Sequence, residues 1–243
     1  MRIALLLSVL IFIGCLAFFI NDYIEKSKTQ NLGETFSTPS KQEEAVKVDI
    51  PVDFDELKKV NSDIYAWINI PNTPIDYPIL QNEKNEYYLN RNVEKKYSVY
   101  GCIFTEDYNS KDFSDFNTLV YGHNMKNGTM FGSLKKFRDA TFFEENRYIN
   151  VYMKNRVLKY EIFAACTWDN KHILASRNFS LPENRTAYLE EIMAVRDMNS
   201  QVKKDISVTE SDKIITLSTC MNNKNKRFII SGVLIYDSQN PSN

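Results

Sequence analysis

The segment from Lys213 to Tyr236, KIITLSTCMNNKNKRFIISGVLIY, constrains the fold more than any other part of the chain. Two runs rich in β-branched and aromatic residues flank the polar loop MNNKNK, a pattern typical of two strands joined as an antiparallel hairpin. In such a hairpin Cys220, which ends the first strand, lies opposite Arg227, which begins the second. The segment therefore predicts a thiol beside a permanent positive charge, and Lys226 takes the place of Arg227 if the register slips by one residue.

The rest of the chain also predicts a mainly β fold. Further strand-like runs, again rich in β-branched and aromatic residues, cover residues 99–105, 117–121, 148–153 and 157–167. Two helices are expected: one begins after an N-cap at Asp53 and continues toward Ile64, and the other covers Glu183 to Met198, between late strands. Short strands joined by polar turns favour a barrel or a sandwich.

The N-terminus carries an apolar run, Ile3 to Ile20, which contains no charged residue. As a helix this run would be about 27 Å long, which just spans the hydrocarbon core of a bilayer. No small residues stand where a signal peptidase would cut, so an uncleaved signal-anchor at residues 1–20 is favoured over a cleaved signal. The polar composition of residues 21–50 is typical of a flexible stalk. Residues 51–243 are expected to form an extracellular domain. We therefore expect a single-pass protein of the cell membrane.

The amino-acid composition limits the ligands the chain can bind and the residues it can use for catalysis. The chain has 30 Lys and Arg against 31 Asp and Glu, so it lacks the basic excess that marks nucleic-acid binding. Of four cysteines, Cys15 lies in the apolar run, and Cys102 and Cys166 lie in strand-like runs where cysteine is usually a small buried hydrophobe. No CxxC pair indicates a zinc site, and no metal or cofactor is expected. Cys220 is the remaining candidate for a nucleophile.

A nucleophilic thiol needs a proton carrier, and arginine stays protonated near neutral pH. The carrier must be one of two histidines, His123 or His172. His123 directly follows a strand and Gly122, which allows a sharp turn, whereas His172 lies in the polar stretch WDNKHIL and is expected in a solvent loop. We therefore favour His123.

Several motifs together resemble the sortases, the membrane-anchored cysteine transpeptidases of Gram-positive bacteria. TLSTC closes a strand, an arginine opens the next strand, and YGHNM followed by GTMFGSL lies upstream. The stretches AWINIPNTPIDYPILQ, NEYYLNRN and GCIFTEDYN resemble the N-terminal half of the family, and class B sortases are the most similar. The resemblance implies an eight-stranded sortase-type β-barrel with an N-terminal helix and a helix inserted between late strands. It also implies that residues 51–243 form a catalytic domain with Cys220, His123 and Arg227 as its catalytic residues.

The resemblance further implies substrates and a mechanism. The thiolate of Cys220 would attack the carbonyl after the Thr of a C-terminal sorting signal on a surface protein, and a thioester would form. His123 would donate a proton to the leaving amine, and Arg227 would hold the substrate carbonyl or the oxyanion. The acceptor would be an amine of a peptidoglycan precursor. Asn85 and Leu89, at positions i and i+4 of a short helix, and Ser218 would face the sorting peptide, although Leu89 is equally consistent with core packing.

Two other functions are compatible with the sequence. A secreted cysteine protease would hydrolyse its thioester with water. A non-catalytic, membrane-tethered binding module would make the grouping of cysteine, histidine and arginine a coincidence.

Overall fold

The computed structural model describes residues 20, 24, 49–221 and 225–240. Its strands are β1 (Ile64–Asn69), β2 (Asp76–Gln81), β3 (Ile103–Thr105), β4 (Asn117–Tyr121), β5 (Tyr148–Met153), β6 (Arg156–Asp169), β7 (Gln201–Val202), β8 (Ile214–Cys220) and β9 (Lys226–Asp237). Its α-helices are α1 (Phe54–Val60), α2 (Ala140–Glu145) and α3 (Pro182–Met193). Two 3₁₀-helices cover Tyr87–Asn90 and Gly132–Arg138.

Eight of these strands close into a barrel. The hydrogen-bonded order is β5-β1-β2-β3-β4-β8-β9-β6, and β5 also pairs with β6, which joins the two ends of the sheet. The short strand β7 adds to β6 outside this ring. The mainly β fold and the eight-stranded barrel are confirmed, with α1 at the start of the fold and α3 between the late strands β6 and β8.

The barrel interior is packed with apolar side chains from most of its strands. Ala66 and Ile68 of β1, Leu217 of β8 and Ile230 of β9 are all fully buried in this central cluster. A second cluster lies beneath α1 and includes Leu57 and Trp67, and a third lies between the barrel and α3. Each cluster removes apolar surface from water, so the barrel and its two covering helices are stabilised together.

The first helix begins where the sequence predicts and ends earlier. The side chain of Asp53 accepts hydrogen bonds from the backbone N–H groups of Asp55 and Glu56, as an N-cap does. The helix ends before Asn61, whose backbone is extended with φ of −156° and whose side-chain amide donates to Tyr88 and to a backbone carbonyl. The expected extension toward Ile64 is wrong, because Ile64 already begins the buried strand β1.

Two further segments differ from the expectation. Residues 132–145 form a 3₁₀-helix and then α2, where no helix was predicted. The late helix α3 ends at Met193, before the predicted end at Met198. Beyond Met193 the chain turns toward β7, which pairs with β6.

The membrane prediction requires correction. The apolar run from Ile3 and the predicted stalk lie outside the described residues, apart from residues 20, 24, 49 and 50. Within the described residues, no helix is both long and apolar enough to cross a membrane. The longest of them, α3, has 12 residues, about 18 Å against the roughly 30 Å of a hydrocarbon core. This finding contradicts the predicted single-pass location in the cell membrane, and it gives no support to the membrane as a partner through an N-terminal helix.

Candidate active site

The hairpin of β8 and β9 has the register that the sequence predicts. Cys220, at the end of β8, is paired with Arg227 of β9. Lys226 is paired with Asp169 of β6, so the slipped register does not occur. Arg227 is half-buried, and it is therefore less screened by solvent than a fully exposed side chain would be.

Strand β4 brings His123 to the same end of the barrel. β4 runs parallel to β8, and Tyr121 is paired with Ser218. Gly122 follows, and its N–H donates to the Ser218 carbonyl at 3.2 Å. A β-carbon on Gly122 would lie 2.5 Å from Cδ1 of Ile103 and 2.7 Å from the Phe131 ring. Only glycine fits this close passage, which places His123 immediately beyond the end of β4.

The ring of His123 is oriented by a backbone carbonyl. Its Nε2 lies 2.5 Å from the carbonyl oxygen of Leu89, in the 3₁₀-helix Tyr87–Asn90. A carbonyl oxygen only accepts hydrogen bonds, so Nε2 carries the proton and donates it. Nδ1 is therefore the ring nitrogen that can exchange a proton with a reacting group.

A pocket of about 270 Å³ unites most of the predicted site residues. His123, Arg227, Ser218 and Leu89 all line it. Ser218 is buried at 4 % exposure, and Leu89 keeps 37 % of its surface exposed, so Leu89 is not an ordinary core residue. Among the described residues, no grouping of His, Cys, Asp and Glu side chains could hold a metal ion.

Asn85 is not part of this pocket lining. It precedes the 3₁₀-helix instead of belonging to it, and residue 86 between them has a left-handed backbone with φ of 60°. The side-chain oxygen of Asn85 accepts a hydrogen bond from the N–H of Asp107 at 3.0 Å. The expected i, i+4 arrangement of Asn85 with Leu89 on one helix is therefore wrong.

One wall of the pocket contains a histidine and a carboxylate whose pairing the sequence does not predict. His172 lies in the loop between β6 and α3, as predicted, but it is half-buried and lines the pocket, and its Nε2 lies 2.5 Å from Oε2 of Glu106. The hydroxyl of Tyr121 lies 3.3 Å from the same nitrogen. The ring of Tyr108 packs against the imidazole at 4.9 Å between centroids. Glu106 and His172 are 66 residues apart, so no local pattern could have paired them.

The electrostatics of this wall are set by Glu106. Burial raises the pKa of the Tyr121 hydroxyl far above its usual value, and the negative charge of Glu106 raises this pKa further. Arg227 acts on the same hydroxyl in the opposite direction. Tyr121 thus stays protonated and neutral between an anion and a cation of the pocket.

Two of the other cysteines are unsuited to nucleophilic chemistry. Cys102 and Cys166 are buried free thiols, with 4 % and 0 % exposure. Burial raises the pKa of both thiols, that of Cys166 to about 12. At neutral pH both remain protonated, and the thiolate is the reactive form of cysteine.

Comparison with known proteins identifies the family. A family model described as the sortase domain matches residues 68–235. The chain belongs to the sortase family. A sortase B of Listeria monocytogenes is 35 % identical over 183 residues, which cover 74 % of this chain and 73 % of that protein. Sortases B are cysteine transpeptidases, and this sortase is one as well.

Solved structures agree with this assignment. Sortase B from Bacillus anthracis matches with a TM-score of 0.75 and 31 % identity, over 89 % of this chain and 99 % of that one. A Staphylococcus aureus sortase B, solved as a substrate complex, matches with a TM-score of 0.65 and 29 % identity, over 75 % of this chain and 84 % of that one.

Proposed function

We propose that this sortase cleaves a C-terminal sorting signal after its Thr and transfers the protein to an amine of the cell wall, with residues 51–243 as its catalytic domain. The observation that carries the proposal is the meeting of three elements at one end of the barrel. The β8–β9 register sets Cys220 opposite Arg227, and Arg227 lines the same pocket as His123.

In the first step, the thiolate of Cys220 attacks the carbonyl carbon after the Thr. The carbonyl oxygen gains negative charge, and Arg227 donates hydrogen bonds to it. A positive group placed where charge develops lowers the barrier, more so in a pocket that excludes water. Arginine suits this role because its guanidinium keeps its charge throughout the reaction.

His123 carries the protons. Its Nε2–H is engaged with the Leu89 carbonyl, so proton exchange falls to Nδ1. Protonated at Nδ1, the ring donates to the departing amine as the C–N bond breaks and the thioester forms. The neutral ring then accepts a proton from the incoming amine.

The sorting peptide lies in the pocket along Leu89 and Ser218. Leu89 supplies an exposed apolar side chain of the lining, and Ser218 supplies a buried polar one. The carbonyl of Leu89 also orients His123, so a peptide bound at Leu89 contacts the element that positions the proton carrier. A sorting-signal peptide in this place has its scissile bond close to His123 and Arg227.

The test uses the full-length chain and a sorting-signal pentapeptide with a fluorophore and a quencher at its ends. We expect cleavage that depends on Cys220, and an added amine should divert the product from the free acid to the amide. Cys220→Ala is the inactive control. Cleavage whose product is indifferent to the amine would support the protease instead, and absence of Cys220-dependent cleavage across a panel of pentapeptides would overturn the proposal.

A further inference from the structure

The wall formed by Glu106 and His172 has no role in the mechanism above, although it lines the same pocket as His123 and Arg227. The side chain of Glu106 is only 6 % exposed. Of the carboxylates that line the pocket in the described part of the chain, Glu106 alone is buried, whereas Glu86 and Asp169 are exposed. A buried charge is screened least, so Glu106 is the strongest source of negative potential in the pocket.

His172 holds this carboxylate in place but is not a second base. The N–H of Ala175 donates to Nδ1 of His172 at 3.1 Å, so Nδ1 carries no proton. Nε2 therefore bears the proton and donates it to Glu106. Both ring nitrogens are engaged and the ring is neutral, so it orients Glu106 without cancelling its charge.

Glu106 keeps capacity for a further partner. A carboxylate has about four acceptor positions, of which His172 and Tyr121 use two at most. The pocket wall thus presents a fixed anion that can accept N–H hydrogen bonds. The proposed mechanism assigns the donor peptide to Leu89 and Ser218 and gives Glu106 no partner.

We propose that Glu106 is the residue that recognises the second substrate, the incoming primary amine. It attracts the ammonium form into the pocket and accepts an N–H hydrogen bond while the nitrogen attacks. The nitrogen becomes positively charged as the C–N bond forms, and the carboxylate stabilises that charge. Water is activated by loss of its proton to His123 and builds less positive charge, so Glu106 favours the amine over water. This inference rests on the proposed acyl transfer.

Amide formation conserves bonds and protons. The ammonium loses one proton to solvent, and the lone pair of the resulting amine forms a C–N bond to the thioester carbonyl. The C–S bond breaks, and Cys220 leaves as a thiolate. A second proton passes from the nitrogen to Nδ1 of His123. Glu106 stays ionised throughout and gains or loses no proton.

The experiment compares Glu106→Gln with the unaltered full-length chain in the peptide assay, with glycinamide as the amine. Glutamine keeps an oxygen for the Nε2–H of His172 and removes the charge. We expect kcat/KM for glycinamide to fall about tenfold or more, and the rate of peptide cleavage in water alone to fall by a clearly smaller factor. Glu190→Gln makes the same change on an exposed position of α3 and should alter neither rate.

Two results would overturn the inference. An unchanged ratio of amide to acid in Glu106→Gln would show that the carboxylate does not act on the amine. A fall in peptide cleavage confined to peptides with a cationic side chain would assign Glu106 to the donor peptide instead.

A binding measurement tests the inference even if no peptide is cleaved. The chain has two histidines, so NMR of its imidazole groups gives two assignable sets of signals. Glycinamide should shift the His172 signals in a saturable way in the unaltered chain and should leave them in place in Glu106→Gln. Equal shifts in both proteins would contradict the role of Glu106, whereas failed cleavage with a Glu106-dependent shift would contradict only the proposed sorting reaction.

Discussion

Arg227 and its neighbour Lys226 differ in what they face, although both are cations at the start of β9. Arg227 is paired with Cys220 and lines the pocket, whereas Lys226 is exposed and paired with Asp169. Arg227→Ala should therefore lower kcat/KM for peptide cleavage on the order of a hundredfold, because the developing oxyanion loses its partner. Lys226→Ala removes the same charge one residue away and should have little effect.

The melting temperature of both variants shows whether lost activity reflects lost chemistry or lost folding. We expect little change in either, since neither side chain is in the buried core. Equal loss of activity in the two variants would contradict the assignment of Arg227 and would point to the general charge of the loop instead.

The two histidines show which site residues a local sequence pattern can predict and which it cannot. The position of His123 was predictable, because a strand, Gly122 and a turn adjoin it in sequence. The role of His172 was not, because its carboxylate partner Glu106 comes from a distant loop and its polar neighbours resemble a solvent loop. A contact made only by tertiary folding leaves no mark in the residues beside it.

At the scale of elements, an ion pair joins the start of β6 to the end of β9. Arg156 donates from Nε and Nη2 to the two oxygens of Asp237, at 2.8 and 2.7 Å. The side chains are only 12 % and 5 % exposed. This pair lowers the pKa of Asp237 from 3.8 to about 2.

The lowered pKa gives a pH dependence of stability. The pair's contribution, roughly 2 kcal/mol, is fully present above about pH 4 and is lost as the pH falls toward 2, where folded Asp237 takes up its proton. Asp237→Asn should therefore lower the free energy of unfolding strongly at pH 7 and much less near pH 2, as measured by urea denaturation. Asp55→Asn, which breaks an exposed pair with Lys154, is the control and should change little at either pH. A loss for Asp237→Asn that is independent of pH would contradict this reading.

The elements that sequence predicted well share a clear local pattern. β8 and β9 have strong β enrichment on both sides of a polar loop, and the N-cap at Asp53 was visible in the sequence. β1 was not recognised as a strand, because its residues are buried on both faces. Ala66 and Ile68 pack inside the barrel while Ile64 and Trp67 pack under α1, so no alternation of polar and apolar residues appears.

At the scale of the whole molecule, barrel closure creates the pocket. Its lining comes from residues as far apart as Glu86 and Ile229 along the chain. Hairpin register follows from neighbouring residues, but β4 meets β8, and β1 meets β5, only through pairing of strands that are far apart in sequence. The pairing of Cys220 with Arg227 across the hairpin was therefore predictable from one segment, and the surrounding pocket was not.

Closure also predicts how the cysteines respond to a thiol reagent. Cys102 lies in the cluster beneath α1 and Cys166 lies in β6, and both are buried with raised pKa values. Labelling is measured at each site by mass spectrometry. Cys220 should react fast, and Cys102 and Cys166 should react more than about a thousandfold slower, because they react only when the barrel opens.

Urea provides a second measurement. If the barrel unfolds as one unit, urea should increase the labelling rates of Cys102 and Cys166 with the same dependence on its concentration. Cys220→Ala controls for effects of modifying the active site. Fast labelling of Cys102 or Cys166 in the native chain would contradict the prediction, and different urea dependences would show that the regions around the two cysteines open separately.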